Sequence, residues 1–434
     1  MKQLTRLFIP ICLETLFYML SGMVDTLMLS AVGDYAVGAV GTANSYIGIF
    51  IIMFSIISSG MVSVMTQNIG AGRPGVAYQA RQLGLLFNAV AGVLMAIFLF
   101  SGAGAILRMV GIADALYEPA LIYLKIVGGG CILNAVIPIF SSYLRAFGYT
   151  KQPLYATIVG NIANFVMNAV FLFVLHKGVA GVAAATVISK ILNLCIVLYF
   201  SHKLISAKNS TERIANKTVL GQIVKVGLPS ACETALYNVA MMLVIRFLNQ
   251  MDAEGLNVTA RSYTATISNF SYCVGAALAQ ANAIMTGWHI GAGELEECDR
   301  GTKRAAFVGV CVAVCMETAI VLGSGFIMPL FTDNPEMTAL VRKLLAIDIV
   351  LEIGRVTNLV FGQALKTSGD AVSPAVIAAV FMFVFAVGGT WLFGISMGLM
   401  AVGAYIGLAS DECVRAVGMV WRWKTGKWRT KKLV

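Results

Sequence analysis

The chain has 434 residues, 59% of them hydrophobic and only 12% charged, with a mean hydropathy of +0.83. That composition excludes a water-soluble globule of this length and indicates a polytopic membrane protein. The formal net charge of +10 would suit a nucleic-acid binder if it were clustered, but it is spread over short loops, so no nucleic-acid partner is expected.

Apolar runs of about 20 residues, each enough to cross a hydrocarbon core of roughly 30 Å, recur from end to end. They lie near residues 7–30, 37–66, 82–111, 119–145, 153–175, 178–201, 219–249, 257–287, 304–331, 336–364, 372–395 and 398–420. Without water, runs of this length must satisfy their own backbone groups as helices; barrel strands would be shorter and would alternate in polarity. Twelve transmembrane helices are therefore predicted. The first run is too long for a removable leader, lacks a cleavage pattern and holds an aspartate, so it is expected to stay in the mature protein.

Lys2, Arg6, Arg73, Arg81, Arg145, Lys151, Lys203, Lys208, Arg213, Lys217, Arg300, Lys303, Arg304, Lys366 and the tail WRWKTGKWRTKKLV (421–434) fall on alternate sides of the spans. The opposite loops carry Asp34, Asp252, Glu254, Asp333 and Glu336. This positive-inside pattern places both termini in the cytoplasm. Trp421, Trp423 and Trp428, set among basic residues, are expected to anchor the tail at the interface against anionic lipid. The expected location is a cell membrane, a bacterial inner membrane. The nine cysteines show no metal spacing, and most fall inside spans (Cys12, Cys131, Cys195, Cys232, Cys273, Cys311, Cys315, Cys413), so neither disulfides nor a metal–thiolate site is expected.

The chain repeats itself. PICLETLFY (10–18) matches PSACETALY (229–237) at an offset of 219. IGAG recurs at 69–72 and 290–293, and LRAFGYTKQP (144–153) answers LKTSGDAVSP (365–374), both at an offset of 221. Two six-helix halves follow, 1–201 and 219–421, joined by a polar linker at 202–218 and followed by a basic cytoplasmic tail at 422–434. Six is even, so the halves share one orientation and a pseudo-twofold axis along the membrane normal. Two such bundles can rock about a central cavity, the architecture of alternating access, whereas a channel is more often a ring of identical subunits.

Asp25 interrupts the apolar stretch LSGMVDTLMLSAVG (20–33). An unpaired carboxylate inside a span costs roughly 2.5–3.5 kcal/mol on insertion scales, so the group is a candidate for binding a proton or a cation. Asn164 and Asn168 lie four residues apart on one face of the fifth span and offer amide oxygens. Thr186 in the sixth span adds a hydroxyl. A purely structural reading makes Asp25 a paired group and the asparagines interhelical glue, worth about 0.6–2 kcal/mol each.

The residues MVDTLML, TQNIGAG, LRAFGYTKQP, GNIANFVMN and GVAGVAAATVIS, in this order and across both halves, resemble the multidrug and toxic compound extrusion (MATE) family. The resemblance implies an all-α integral membrane fold of two six-helix bundles in a V. It also implies a secondary antiporter that exports organic, often cationic compounds in exchange for H⁺ or Na⁺, a small-molecule efflux protein rather than an enzyme. No GxxxxGK[ST] stretch is present to supply ATP hydrolysis, and no cofactor beyond the coupling ion is expected. A monomer contacting membrane lipid is expected. Carried over by position, the family's amino-terminal cation site falls on Asp25, Asn164, Asn168 and Thr186, with Na⁺ as a candidate at the first three. Some relatives have a second carboxylate where this chain has Asn168, and one carboxylate with neutral oxygens suits either ion.

Glu14 and Glu233 are the repeated glutamates, each four residues after a proline. They are expected near midplane, facing one another across the pseudo-axis, as a place for a cationic substrate or proton; structurally, each could instead pair with a neighbouring helix. The tenth span carries Asp348, Glu352 and Arg355 at i, i+4 and i+7, for which an intrahelical Glu352–Arg355 pair is the expected arrangement. Some family members bind a cation in the carboxy-terminal half through a seventh-span acid and a tenth-span aspartate. Here Tyr237 stands at the acid's place with Glu233 one turn early, and Arg355 stands at the aspartate's. A guanidinium there repels Na⁺, which argues against a carboxy-terminal cation site. Asp411 and Arg415 of DECVR (411–415) extend the stripe into a charge network. Glu317 and Arg246 stay unassigned.

Two other functions are weighed. A lipid-linked-sugar flippase of the same broader superfamily tends to have extra spans and a cationic cavity; Arg355 keeps that reading open. A membrane enzyme or receptor lacks support, since no serine-protease elbow or HExxH is present and His176, His202 and His289 are scattered near span ends.

Overall fold

The computed structural model describes residues 2–110, 112–206, 212–252 and 255–434. Lys208 and Glu254 lie outside the described residues, as does part of the linker. The described chain is helical from end to end. The first half contains α1 (Lys2–Ser30), α2 (Asp34–Gly70), α3 (Pro74–Val110), α4 (Asp114–Gly129), α5 (Cys131–Ala146), α6 (Lys151–Ala169) and α7 (Gly178–Leu204). The second contains α8 (Asn216–Met251), α9 (Leu256–Ala292), α10 (Leu295–Ile327), α11 (Pro335–Thr367), α12 (Val372–Phe381) and α13 (Met400–Lys424). Two compact units result, Thr5–Gly227, and Leu228–Val434 with the amino-terminal residues up to Leu4.

Each predicted span is occupied by helix, with one departure. The fourth span is two helices, α4 and α5, bent by 42° at Gly130, the last of three consecutive glycines. A Cβ on Gly130 would stand 3.1 Å from Val187 Cγ2, so the break also seats α7. Among the described residues eight helices are long and apolar enough to cross a membrane, or nine if the α4–α5 pair counts as one span. The helices outside that count, α9, α11 and α13, carry Arg261 among hydroxyl and amide residues, then Asp348, Glu352 and Arg355, and then Asp411, Glu412 and Arg415. Their polarity is the reason they miss an apolarity test, and it marks the interior of the second unit.

The duplication is visible in backbone detail. The fifth span continues from α6 as a π-helical segment, Val170–Val174, and the eleventh from α12 as two, Met382–Val387 and Thr390–Ser396. Such widened turns are uncommon and recur at functional sites; Val170–Val174 answers Thr390–Ser396 at the offset of 221, whereas the residues that correspond to Met382–Val387 are regular α6. The apolar core of the first unit gathers around Leu99, Leu107, Leu124, Ala43 and Val182, and that of the second around Leu248, Val341, Leu344, Leu345 and Ala404.

Small residues set how closely α11 and α13 approach. A Cβ on Gly354 would lie 2.7 Å from the amide nitrogen of Cys413, so only glycine lets the two backbones touch where Glu352 and Arg355 face Glu412. Gly403 does the same against Phe393. Close backbone approach through small residues is how helices associate in lipid, where no hydrophobic effect drives them together.

The tail differs from its expected role. Trp421 is 64% exposed, but Trp423 and Trp428 are each only 1% exposed. At Gly426, with φ of 69°, the chain reverses into a short 3₁₀ turn, Lys427–Thr430. The turn stacks Trp428 on Trp423 with centroids 4.2 Å apart. Trp423 Nε1 donates to Asp299 Oδ1 at 2.7 Å and Arg429 to Glu296 at 2.6 Å. Asp370, buried in the turn after α11, accepts from Arg422 Nε at 2.7 Å and Ser373 Oγ at 2.9 Å, with Lys431 at 3.3 Å. Two of the three tryptophans are thus protein core, because each indole N–H finds a fixed acceptor, Asp299 for Trp423 and the Trp423 carbonyl for Trp428.

Burial alone would raise the Asp370 pKa, but Arg422, Ser373 and Lys431 outweigh it and hold the carboxyl below its usual value. A depressed carboxylate stabilises the folded state above its unfolded pKa, near 4, and that contribution fades as pH falls through the folded value. Asp370→Asn should therefore release the tail at neutral pH, a loss on the order of 3–5 kcal/mol for a broken buried pair, read as faster carboxy-terminal proteolysis, with wild type resisting down to about pH 4. Gly354→Leu should lower the thermal midpoint of the detergent-solubilised protein, overpacking costing about 1–3 kcal/mol, while Gly362→Leu, where a Cβ would meet nothing within 4 Å, should lower it far less.

Candidate functional site

In the first unit, Asp25 on α1 accepts a hydrogen bond from Asn168 Nδ2 of α6 at 2.7 Å. The same amide nitrogen donates to Asn164 Oδ1 at 3.2 Å, one turn back on α6. Three of the four predicted residues therefore meet. Thr186 on α7 joins them through Tyr123 of α4, whose hydroxyl lies against Thr186 and Asn44 and is felt by Asp25. Thr186 Oγ1 gives its proton to Val182 O at 2.9 Å, so its lone pairs remain to accept. Asn168 Oδ1 is buried and has no hydrogen-bond partner.

The sequence reading missed Lys190 of α7. Its Nζ donates to Asn134 Oδ1 at 2.8 Å, and its charge acts on Asp25. A lone lysine in VISKILNL (187–194) carries the same signal as a lone aspartate in an apolar span. Tyr123, Asn44 and Asn134 were beyond reach, because a single tyrosine or asparagine in an apolar helix is ordinary.

Glu14 and Glu233 are both engaged within their own units. Arg145 Nη2 of α5 lies 2.6 Å from Glu14 Oε1, and Lys366 Nζ of α11 lies 2.9 Å from Glu233 Oε2. Arg145 and Lys366 are themselves equivalent in the repeat, 221 residues apart, so each half carries the same acid–base clasp. Glu233 and Tyr237 line a cavity of about 500 Å³ in the second unit, walled also by Tyr272, Asp348, Arg355, Asp411, Glu412 and Arg415.

The charge network holds together across helices. Arg355 pairs with Glu352 on α11 and reaches Glu412 of α13 at 3.6 Å. Arg415 clasps Asp411 through Nε at 3.0 Å and Nη2 at 2.6 Å, and touches Glu412 at 2.8 Å. Asn358 Nδ2 donates to the other Glu412 oxygen at 3.1 Å. Asp348 belongs to the same wall. Arg246 of α8 takes no part in the described contacts.

A family model named MatE matches the chain twice, over residues 10–170 and 229–392, once in each half of the duplication. The chain belongs to the MATE family. It is similar to the uncharacterized transporter YisQ of Bacillus subtilis, 32% identical over 97% of this chain and 94% of that protein. The probable multidrug resistance protein NorM of Thermotoga maritima is 20% identical over 100% of this chain and 94% of the relative. Among solved structures, an outward-facing conformation of a multidrug resistance MATE family transporter superposes with a TM-score of 0.86, at 21% identity, covering 98% of this chain and 96% of that one. This MATE protein is therefore a multi-span membrane transporter, not an enzyme.

If the Glu14–Arg145 contact of this MATE protein is a clasp, Glu14→Arg should lower its thermal midpoint by the equivalent of about 3–5 kcal/mol, and adding Arg145→Glu should restore most of it. A substrate-binding role predicts instead that the double variant stays inactive in efflux although its midpoint recovers.

Proposed function

We propose that the protein is a proton-coupled antiporter that exports amphipathic organic cations by alternating access. The coupling group is Asp25, whose carboxyl takes a proton in one state and attracts the substrate's positive charge in another. The observation that favours H⁺ over Na⁺ is Lys190. An ammonium in the field of Asp25 opposes a second fixed cation, since like charges repel more strongly in the interior than in water. A proton neutralises the carboxylate without placing a second cation beside Lys190. Na⁺ would need the oxygens of Asp25, Asn164, Asn168 and Thr186 to converge, and Asn168 turns its Nδ2 rather than its Oδ1 toward the carboxylate.

The cavity of the second unit suits an aromatic or aliphatic cation, with Tyr237 and Tyr272 offering ring faces and Asp348 a charge. The repeated halves, 1–201 and 219–421, act as the two moving bundles about the 202–218 linker, with both termini cytoplasmic by the basic loops. No cofactor is needed beyond the ion, and a single chain suffices. A second reading, transport of a lipid-linked sugar or another anionic compound, draws on Arg261, Arg355, Arg415 and Lys366 in the cavity wall. Arg355, Arg415 and Lys366 are each held by an acid of the wall, while Asp348 has no ion pair among the described residues, which favours the cation reading.

Reconstituted protein should expel a fluorescent organic cation when a pH gradient is imposed and not when a Na⁺ gradient is imposed, and Asp25→Asn should abolish the response. Lys190→Met should make transport sensitive to Na⁺. Efflux driven by Na⁺ in the wild type would reverse the choice of ion, and gradient-independent efflux would remove Asp25 from the mechanism.

A further inference from the structure

Arg342 and Lys343 of α11 are cations that nothing described so far uses. Both are exposed, and neither has an ion pair or a hydrogen bond among the described residues. No acid stands three or four residues from either on α11, and the adjoining end of α10, TAIVLGSGFI (318–327), contains none. They also depart from the positive-inside pattern, because by the basic loops this end of α11 lies on the side opposite the cytoplasm.

The start of α11 is fixed by Pro335 and by the Asn334 side chain, which accepts from the amide nitrogens of Glu336 and Met337. Arg342 comes roughly two turns later, about 10 Å along the helix at 1.5 Å per residue, the depth at which headgroups give way to hydrocarbon. There Arg342 and Lys343 share an open groove of about 630 Å³ with Thr338, Ala339 and Ala346 of α11 and Val321 of α10. Thr338, Arg342 and Ala346 follow one another at intervals of four and so line one face, and the two alanines leave room beside the charges. Next to Val321, Leu322 and Phe326 are 74% and 88% exposed, so the α10 flank is open to acyl chains. Val341, Leu344 and Leu345, on the remaining face of α11, are buried in the second unit.

We propose that this groove holds the headgroup of an anionic phospholipid, with its phosphate between Arg342 and Lys343 and an acyl chain along the apolar flank of α10. A guanidinium matches phosphate oxygens in pairs, and the ammonium adds a point charge. Basic pockets between membrane helices take such headgroups. A zwitterionic lipid fits less well, since its own ammonium would stand beside two cations. Snorkelling alone would carry the two charged ends out to water and would need no groove between the helices. Asp348 and Arg355 of the cavity wall belong to the same helix, so a lipid seated here braces that helix from outside. The site depends on neither the coupling ion nor the substrate proposed above.

The test is photolabelling of the purified full chain in neutral detergent with a sub-saturating phosphatidylglycerol that carries a diazirine on the acyl carbons next to the headgroup. Adducts are expected within residues 318–346 of wild type, displaced by unlabelled phosphatidylglycerol but not by phosphatidylcholine. Arg342→Gln with Lys343→Gln should lower that labelling roughly fivefold per charge removed, whereas Arg342→Lys with Lys343→Arg should retain most of it. Without added lipid, the glutamine double variant should melt with wild type, since neither side chain has a partner to lose. Labelling confined to other segments, labelling unchanged in the glutamine variant, or equal displacement by phosphatidylcholine would each overturn the proposal. Displacement by sodium phosphate at matched ionic strength would overturn it too, by making the groove a site for free phosphate.

Discussion

The structure depends on what a charge requires where there is no water. A carboxylate within a span needs a donor, a counter-ion or a proton, and the acids in the spans of this chain meet that need in different ways. Asp25 has one amide donor and a lysine in its field. Glu14 and Glu233 have a basic partner apiece. Glu317 has two unpartnered hydroxyls and like charges. The completeness of the pairing separates scaffold from working group: satisfied pairs hold helices in place, and incomplete ones are where an external proton, ion or substrate can bind.

The same logic explains the geometry around these groups. Gly354 and Gly403 bring α13 against its neighbours closely enough for the Glu412 side chain to meet Arg355 and Asn358 of α11. The Gly128–Gly129–Gly130 run bends the fourth span, placing Tyr123 of α4 and Asn134 of α5 toward α7 from two directions. The π-helical widening after α6, just beyond Asn168, has its counterpart after α12. Both halves use one design. Duplication preserved the clasps and the widened turns, while the central chemistry diverged: one carboxylate with amides and a lysine in the first unit, five carboxylates with two guanidiniums in the second.

Much of this was legible in residues alone. Apolar runs gave the spans because backbone groups in lipid leave helix as the only open solution. The matched blocks at offsets of 219 and 221 gave the duplication, and the family match in both halves agrees with it. Asp25 announced itself because a charge in an apolar run is costly. Lys190 carried the same signal and was still passed over, and two departures share a cause: the bend at Gly130 and the buried tryptophans of the tail both depend on contacts between residues far apart in the chain.

Composition, periodicity and internal repetition thus determined that this is a duplicated helical membrane protein with an isolated aspartate in its first span. Those properties are set by interactions of each segment with lipid or with its own backbone, and they need no knowledge of neighbours. Only the tertiary structure decided which charges are satisfied. Pairing is a property of two or more helices at once, so Arg145 beside Glu14, Lys190 acting on Asp25 and the buried acids around Glu317 could emerge only when the helices had packed.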